Sequence, residues 1–166
     1  MGWLIGFIVV AFVVAPIMWV MPSPAQKRQA RLRERAQQLG LAISLVDLPQ
    51  SHRSKVRKEA AAKGVAYSLR MQRERNRIRP HWFVWREAPD GERDIDGSCP
   101  EAVVDALPAL RARMGADMVG FGSTPEGYVL YWRERGDETT VEQVAMLLED
   151  IRQLAGGTAI GRKTNT

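Results

Sequence analysis

Residues 118–133 read Met118-Val119-Gly120-Phe121-Gly122-Ser123-Thr124-Pro125-Glu126-Gly127-Tyr128-Val129-Leu130-Tyr131-Trp132-Arg133. Two runs of β-forming residues, Met118 to Phe121 and Tyr128 to Arg133, flank Ser-Thr-Pro-Glu-Gly, a cluster of turn formers. The stretch predicts an antiparallel hairpin. Beyond it, Val141, Val144, Leu147, Leu148, Ile151 and Leu154 recur at helical spacing, the cleanest amphipathic pattern in the chain. Thr140 with Gln143 supplies a capping pair, and Gly156-Gly157 a stop. A hairpin cannot cover its own apolar face, so this helix is expected to lie on it.

Working outward toward the N-terminus, Val103, Val104, Leu107, Leu110 and Met114 give a second helical stripe, interrupted by Pro108 and closed by Gly115. The expectation is a kink or two short helices over 99–114. Ser98 and Glu101 have capping-box spacing. Tyr67, Leu69 and Met71 alternate with Ser68 and Arg70, and His81-Trp82-Phe83-Val84-Trp85-Arg86 is rich in β formers. These two segments predict another antiparallel hairpin with a long basic tip, closed on its far side by an Ala88-Pro89-Asp90-Gly91 turn. Leu41, Ile43 and Leu45 alternate with Ala42, Ser44 and Val46, which predicts a strand ending at Pro49. The basic stretch from Gln50 to Lys63 reads as a loop with a helical turn at Glu59 to Ala62.

The first part of the chain is different. Gly2 to Met21 carries no charged side chain. At about 1.5 Å per residue, roughly 20 helical residues cross a hydrocarbon core of about 30 Å. Pro16 is tolerable in such a helix, and Trp3 and Trp19 stand near its ends, where indoles favour the headgroup region. A cleaved signal peptide needs a basic leader and a small-x-small site; nothing before Lys27 is charged, and Trp-Val-Met-Pro-Ser-Pro fits that site poorly. Lys27, Arg28, Arg31, Arg33 and Arg35 follow at once, so the positive-inside rule places the bulk of the chain in the cytoplasm. Ser23-Pro24 starts a short basic helix that Gly40 ends.

The expected fold class is therefore α+β: a single N-terminal transmembrane helix, then a small domain of antiparallel β-hairpins with two helices packed on one face. The divisions are residues 1–22 as anchor, 23–40 as a basic juxtamembrane helix, 41–155 as the α+β domain and 156–166 as a disordered tail.

Charge is unevenly spread. Residues 1–85 hold 15 Lys/Arg against 4 Asp/Glu, and residues 86–166 hold 9 against 15, within a net +5. Surface attraction to anionic lipid is expected near the bilayer, each basic group there contributing about 1 kcal/mol. The candidate anionic-surface contacts are Lys27, Arg28, Arg31, Arg33 and Arg35, with Arg73, Arg75, Arg77 and Arg79, which share one side of an extended chain. The second group also fits its own acidic half, or nucleic acid with bases stacked on nearby tryptophans. Trp82, Trp85, Tyr131 and Trp132 are the candidate interaction aromatics.

Catalytic and metal sites find little material. The one cysteine, Cys99, excludes an internal disulfide and fits a reducing compartment; at a helix N-terminus its pKa is expected to fall. It needs a nearby base, and His81 is the better placed of two histidines. Asp90, Glu92, Asp94 and Asp96 share a loop without the glycine and terminal glutamate of a calcium site. Gly120-Phe121-Gly122 is not followed by the helix a phosphate cradle needs, and glycines in a strand mark close approach by another element. No catalytic residue, metal or cofactor is expected.

Around Gly2–Arg35, the span followed by Pro22, Pro24, Gln26, Lys27, Arg28 and Gln29 resembles the YajC-type accessory subunits of the bacterial preprotein translocase. The resemblance implies one N-terminal span in the bacterial inner membrane, a soluble part in the cytoplasm and a role beside a translocation channel. It covers about a fifth of the chain; that family's Gly-Asp-x-Val-Val-Thr-x-Gly-Gly stretch is absent after residue 40. The functional expectation is a non-enzymatic, single-pass membrane protein whose cytoplasmic domain binds another membrane or cytoplasmic protein. The alternative is a tethered binder of anionic lipid or nucleic acid through the basic hairpin.

Overall fold

The computed structural model describes residues 23–71, 80–89 and 93–156, together with Trp3 and Gly6. Apart from those two residues the anchor expected over 1–22 lies outside the described residues, as do the arginines 73–79, Asp90, Gly91 and Glu92, and the tail 157–166. Among the described residues no helix is long and apolar enough to cross a membrane.

The chain is α+β. The elements run α1 (Pro24–Gln38), β1 (Ala42–Asp47), α2 (His52–Val56), β2 (Lys63–Arg70), β3 (Trp82–Trp85), β4 (Ile95–Gly97), α3 (Glu101–Asp105), α4 (Leu107–Ala112), β5 (Met118–Thr124), β6 (Gly127–Trp132) and α5 (Glu138–Leu154). The six strands form one antiparallel sheet in the order β1-β2-β6-β5-β3-β4. The expected β5–β6 hairpin is present, with Phe121 opposite Leu130 and Ser123 opposite Tyr128.

The other expected hairpin is not. β2 pairs with β1 and β6, while β3 pairs with β4 and β5. The central hairpin separates them. The physical reason is burial: as inner strands, both β2 and β3 have backbone donors and acceptors paired on two sides. β4, in what reads as an acidic loop, supplies the edge beside β3. In the β1–β2 connection the helical turn is α2, earlier than the predicted Glu59 to Ala62.

One face of the sheet is the core. Tyr67, Trp82, Val84, Phe121, Leu130 and Trp132 are each no more than 1 % exposed and pack with α5 residues Val141, Val144, Leu147, Leu148 and Ile151. Tyr67 and Trp132 meet with ring centroids 5.4 Å apart; Trp82 meets Phe121 edge-on at 6.1 Å. Helices α3 and α4, two short helices as Pro108 allows, add Val103, Leu107 and Leu110.

The helix expected over 23–40 is present as α1, and it packs on the domain. Leu32 and Ala36 of α1 are buried in the same core. Its caps are those the sequence predicts. Ser23 Oγ accepts the amide of Gln26, and the Gln26 side chain accepts the amide of Ser23. At the other end Gly40, at φ +79°, lets the Leu41 amide reach Ala36 and its own amide reach Gln37.

Two other caps differ from expectation. Ser98 makes no cap, because Pro100 occupies the capping position of α3. Helix α5 begins earlier than predicted: Asp137 is its N-cap and accepts the Thr140 amide at 3.0 Å, placing Thr140 at the third helical position.

Candidate functional site: an aromatic groove on the sheet face opposite α5

Alternation within each strand decides what the second face carries. On β3, Trp82 and Val84 enter the helix-covered core; Phe83 and Trp85 point the other way, where Val129 and Tyr131 of β6 join them. Phe83 contacts Trp85 edge-on with centroids 4.9 Å apart, and Tyr131 at 5.7 Å. Both are geometries that aromatic quadrupoles favour.

The floor beneath this cluster is glycine. A Cβ on Gly122 would lie 2.4 Å from the Trp82 carbonyl oxygen; one on Gly120 would lie 2.3 Å from that of Val84 and 2.5 Å from Phe83 Cζ. The Gly-Phe-Gly of β5 thus lets β3 and the Phe83 ring lie close, as its sequence suggests.

Part of this face is covered by the β1–β2 connection. Leu48, 4 % exposed, packs over Gly64, and its amide donates to the Ala62 carbonyl at 2.8 Å. Gln50 Nε2 donates to the Glu59 carbonyl at 2.9 Å, and Ser51 caps α2. The connection forms one wall of a groove of about 540 Å³, through Pro49, Gln50, His52 and Lys55. The opposite side has Trp85, Arg93, Asp96 and His81, over a floor of Phe83, Gly122, Val129 and Tyr131. Lys55 and Arg93 against Asp96 leave the rim net positive. Burial pushes the Tyr131 phenol up, so it stays a neutral donor and acceptor. The arrangement suits a planar or acidic group resting on aromatic surface.

The expected site residues divide. Trp85 and Tyr131 line the groove. Trp82 and Trp132, at 1 % and 0 % exposure, are core and offer no surface; Trp132 Nε1 donates to Asp117. Lys27, Arg28 and Arg31 are exposed along α1 beside Asp137 and Glu138, at a separate depression of about 370 Å³. Arg33 reaches the buried Glu134, and Arg35 forms a surface ion pair with Glu142. Arg73, Arg75, Arg77 and Arg79 lie outside the described residues.

Sequence reasoning missed Phe83, His52, Lys55 and Arg93. A signal existed for the first: Trp82 to Trp85 is apolar at every position, which implies burial on both faces.

Cys99 is half-buried, and burial pushes its thiol up rather than the helix lowering it. Asp94 is held by Arg111 at 3.0 Å, and the backbone of Asp96 pairs with Phe83. Among the described residues no group of three His, Cys, Asp or Glu could hold a metal ion. No protein-family model matches the chain, and neither does any curated protein or solved structure.

Proposed function

We propose that the chain is a single-pass protein of the bacterial inner membrane, with a short N-terminus outside. Its cytoplasmic domain uses the aromatic groove to bind another protein as an accessory subunit of a membrane complex. The observation that carries this reading is the Phe83–Trp85–Tyr131 cluster, which lies on the sheet face opposite α5 with α2 at one wall of its groove. Aromatic side chains lining a groove supply rigid contact area of the kind that dominates interfaces. The apolar run Gly2–Met21 and the basic residues after it support the membrane placement. A preprotein translocase is one complex that the flank's resemblance suggests.

The test is a photo-crosslinking amino acid at position 131, with the chain expressed at native level. One dominant protein adduct is expected, lost when Trp85→Ala is added. Absence of any adduct, with the chain recovered alone in mild detergent, overturns the reading.

Anionic lipid is a second reading, and the cations of α1 and of the β1–β2 connection favour it. Nucleic acid is the weaker form of it, since β2 and β3 do not make the basic hairpin that reading relied on.

A further inference from the structure

One end of the domain gathers features that the core does not use. The first turns of α1 lie against Asp137 and Glu138, where α5 begins. That point follows the end of β6, whose Trp132 pairs with Val65 near the start of β2; Lys63 in turn pairs with Asp47 at the end of β1. So the start of α1, the end of β1 and the connection carrying α2 share one end of the sheet. The apolar run Gly2–Met21 stops two residues before α1, so this is also where the chain would leave a bilayer.

Two large apolar side chains are exposed toward this end, Leu45 on the sheet face of Val65 and Val56 on the connection that walls the groove. Val56, the last residue of α2, is 68 % exposed and Leu45 of β1 is 73 % exposed. Val56 is bracketed by Lys55, Arg57 and Lys58, and Lys58 adopts a left-handed φ of +52° that closes the helix. Arg57 spends little of its charge within the chain: its contact with Glu59 is 3.8 Å long and exposed on both sides. Val56 thus stands as an exposed apolar residue among three cations. It matches an anionic bilayer interface, where the side chain enters the acyl boundary and the cations meet headgroups.

We infer that the α2 end of the domain, through Val56 and Leu45 with Lys55, Arg57 and Lys58, docks on the anionic surface of the bilayer that holds the chain's own N-terminus. This rests on the membrane reading above. It also fixes an orientation: α1 is packed into the core, so docking holds the domain in one pose and turns the side of the groove formed by His52 and Lys55 toward lipid.

The test uses the full chain, Cys99→Ser, labelled with an environment-sensitive fluorophore at Val56→Cys or Leu45→Cys. Val104→Cys on α3 is the control. The proteins are reconstituted into phosphatidylcholine vesicles with or without about 30 % phosphatidylglycerol. With phosphatidylglycerol, lipid-borne quenchers are expected to cut emission at 56 and 45 about twofold and leave 104 unchanged. Salt at about 0.5 M, which shortens screening to a few ångströms, should reverse the quenching. So should Lys55→Gln, Arg57→Gln and Lys58→Gln together, all exposed positions whose replacement leaves the core intact. An unquenched probe at 56 on a chain that resists carbonate extraction overturns the docking and leaves the anchor standing. Quenching that ignores lipid charge and the glutamine variant overturns the electrostatic basis. Extraction by carbonate removes the anchor reading, and the docking with it.

Discussion

Arg33 and Glu134, 101 residues apart, form a bidentate ion pair: Nε reaches Oε1 at 3.1 Å and the second guanidinium nitrogen reaches Oε2 at 2.7 Å. Glu134 is 2 % exposed and sits at φ +53°, a left-handed conformation uncommon for a residue with a Cβ. Tyr67 donates its hydroxyl to Oε1 at 2.7 Å. One carboxylate thus joins α1, the sheet and the segment leading to α5. Replacing Arg33 by Met leaves a buried carboxylate without its cation. The expected cost is about 2–3 kcal/mol, below the value for a fully buried pair because the guanidinium is partly exposed. Denaturant unfolding of the full chain measures it, and a change under about 0.5 kcal/mol would show that α1 docks without help from this ion pair.

Tyr67 makes the domain sensitive to alkali. Burial raises its phenol pKa well above the ordinary value, and the hydrogen bond to Glu134 raises it further. A raised folded value contributes stability that is fully present below the unfolded pKa, roughly 10, and is lost as pH rises through the folded value. Stability should fall from about pH 10 upward. Tyr67→Phe should flatten that alkaline slope, read as unfolding midpoints across the range.

At acid pH the sensitive group is Asp137. Hydrogen bonds from the Thr139 hydroxyl and then from Thr140 hold its carboxyl down at about 2. A depressed value contributes stability present above the unfolded pKa, about 3.9, and lost as pH falls through the folded one. Asp137→Asn keeps a cap for α5 but should remove the dependence between about pH 4 and 2. Circular dichroism followed through an acid titration compares the two.

Gly122→Ala should separate β3 from β5, because the added methyl would meet the Trp82 carbonyl. Overpacking of this kind costs about 1–3 kcal/mol. It should also lower adduct yield from position 131, since Phe83 and Tyr131 share that floor. Unchanged stability would mean the strands can part there freely.

Cys99 should react with a thiol reagent more slowly at neutral pH than an unperturbed cysteine, since burial raises its pKa. A rate above that of a model thiol would point instead to an activated nucleophile.

The features legible in the sequence are those written locally. The β5–β6 hairpin needs only two strands and a turn between them, and α5 only its own periodicity. Ser23, Pro24 and Gly40 bound α1 through contacts a few residues long. The errors concern choices between partners. Tyr67 to Met71 and Trp82 to Arg86 are adjacent strands in sequence and look like a hairpin, yet each pairs better with the central hairpin. The three residues of β4 are too few to show a period. Helix α1 has only Leu32 and Ala36 buried, too narrow a stripe to announce that it joins the core.

The site was half legible for the same reason. Composition marked Trp82, Trp85, Tyr131 and Trp132 as aromatics worth watching, but a strand turns successive side chains to opposite faces. Which two would be core depended on where α5 came to rest.

By itself the sequence determined the local elements, the apolar N-terminal run and the basic residues that follow it, because propensity, capping and charge act over a few residues. Strand order, the docking of α1 through Arg33 and Glu134, and the face on which Phe83, Trp85 and Tyr131 meet were decided only by tertiary structure. Those depend on groups brought together from far along the chain, chosen by which packing buries the most apolar surface while leaving every buried charge a partner.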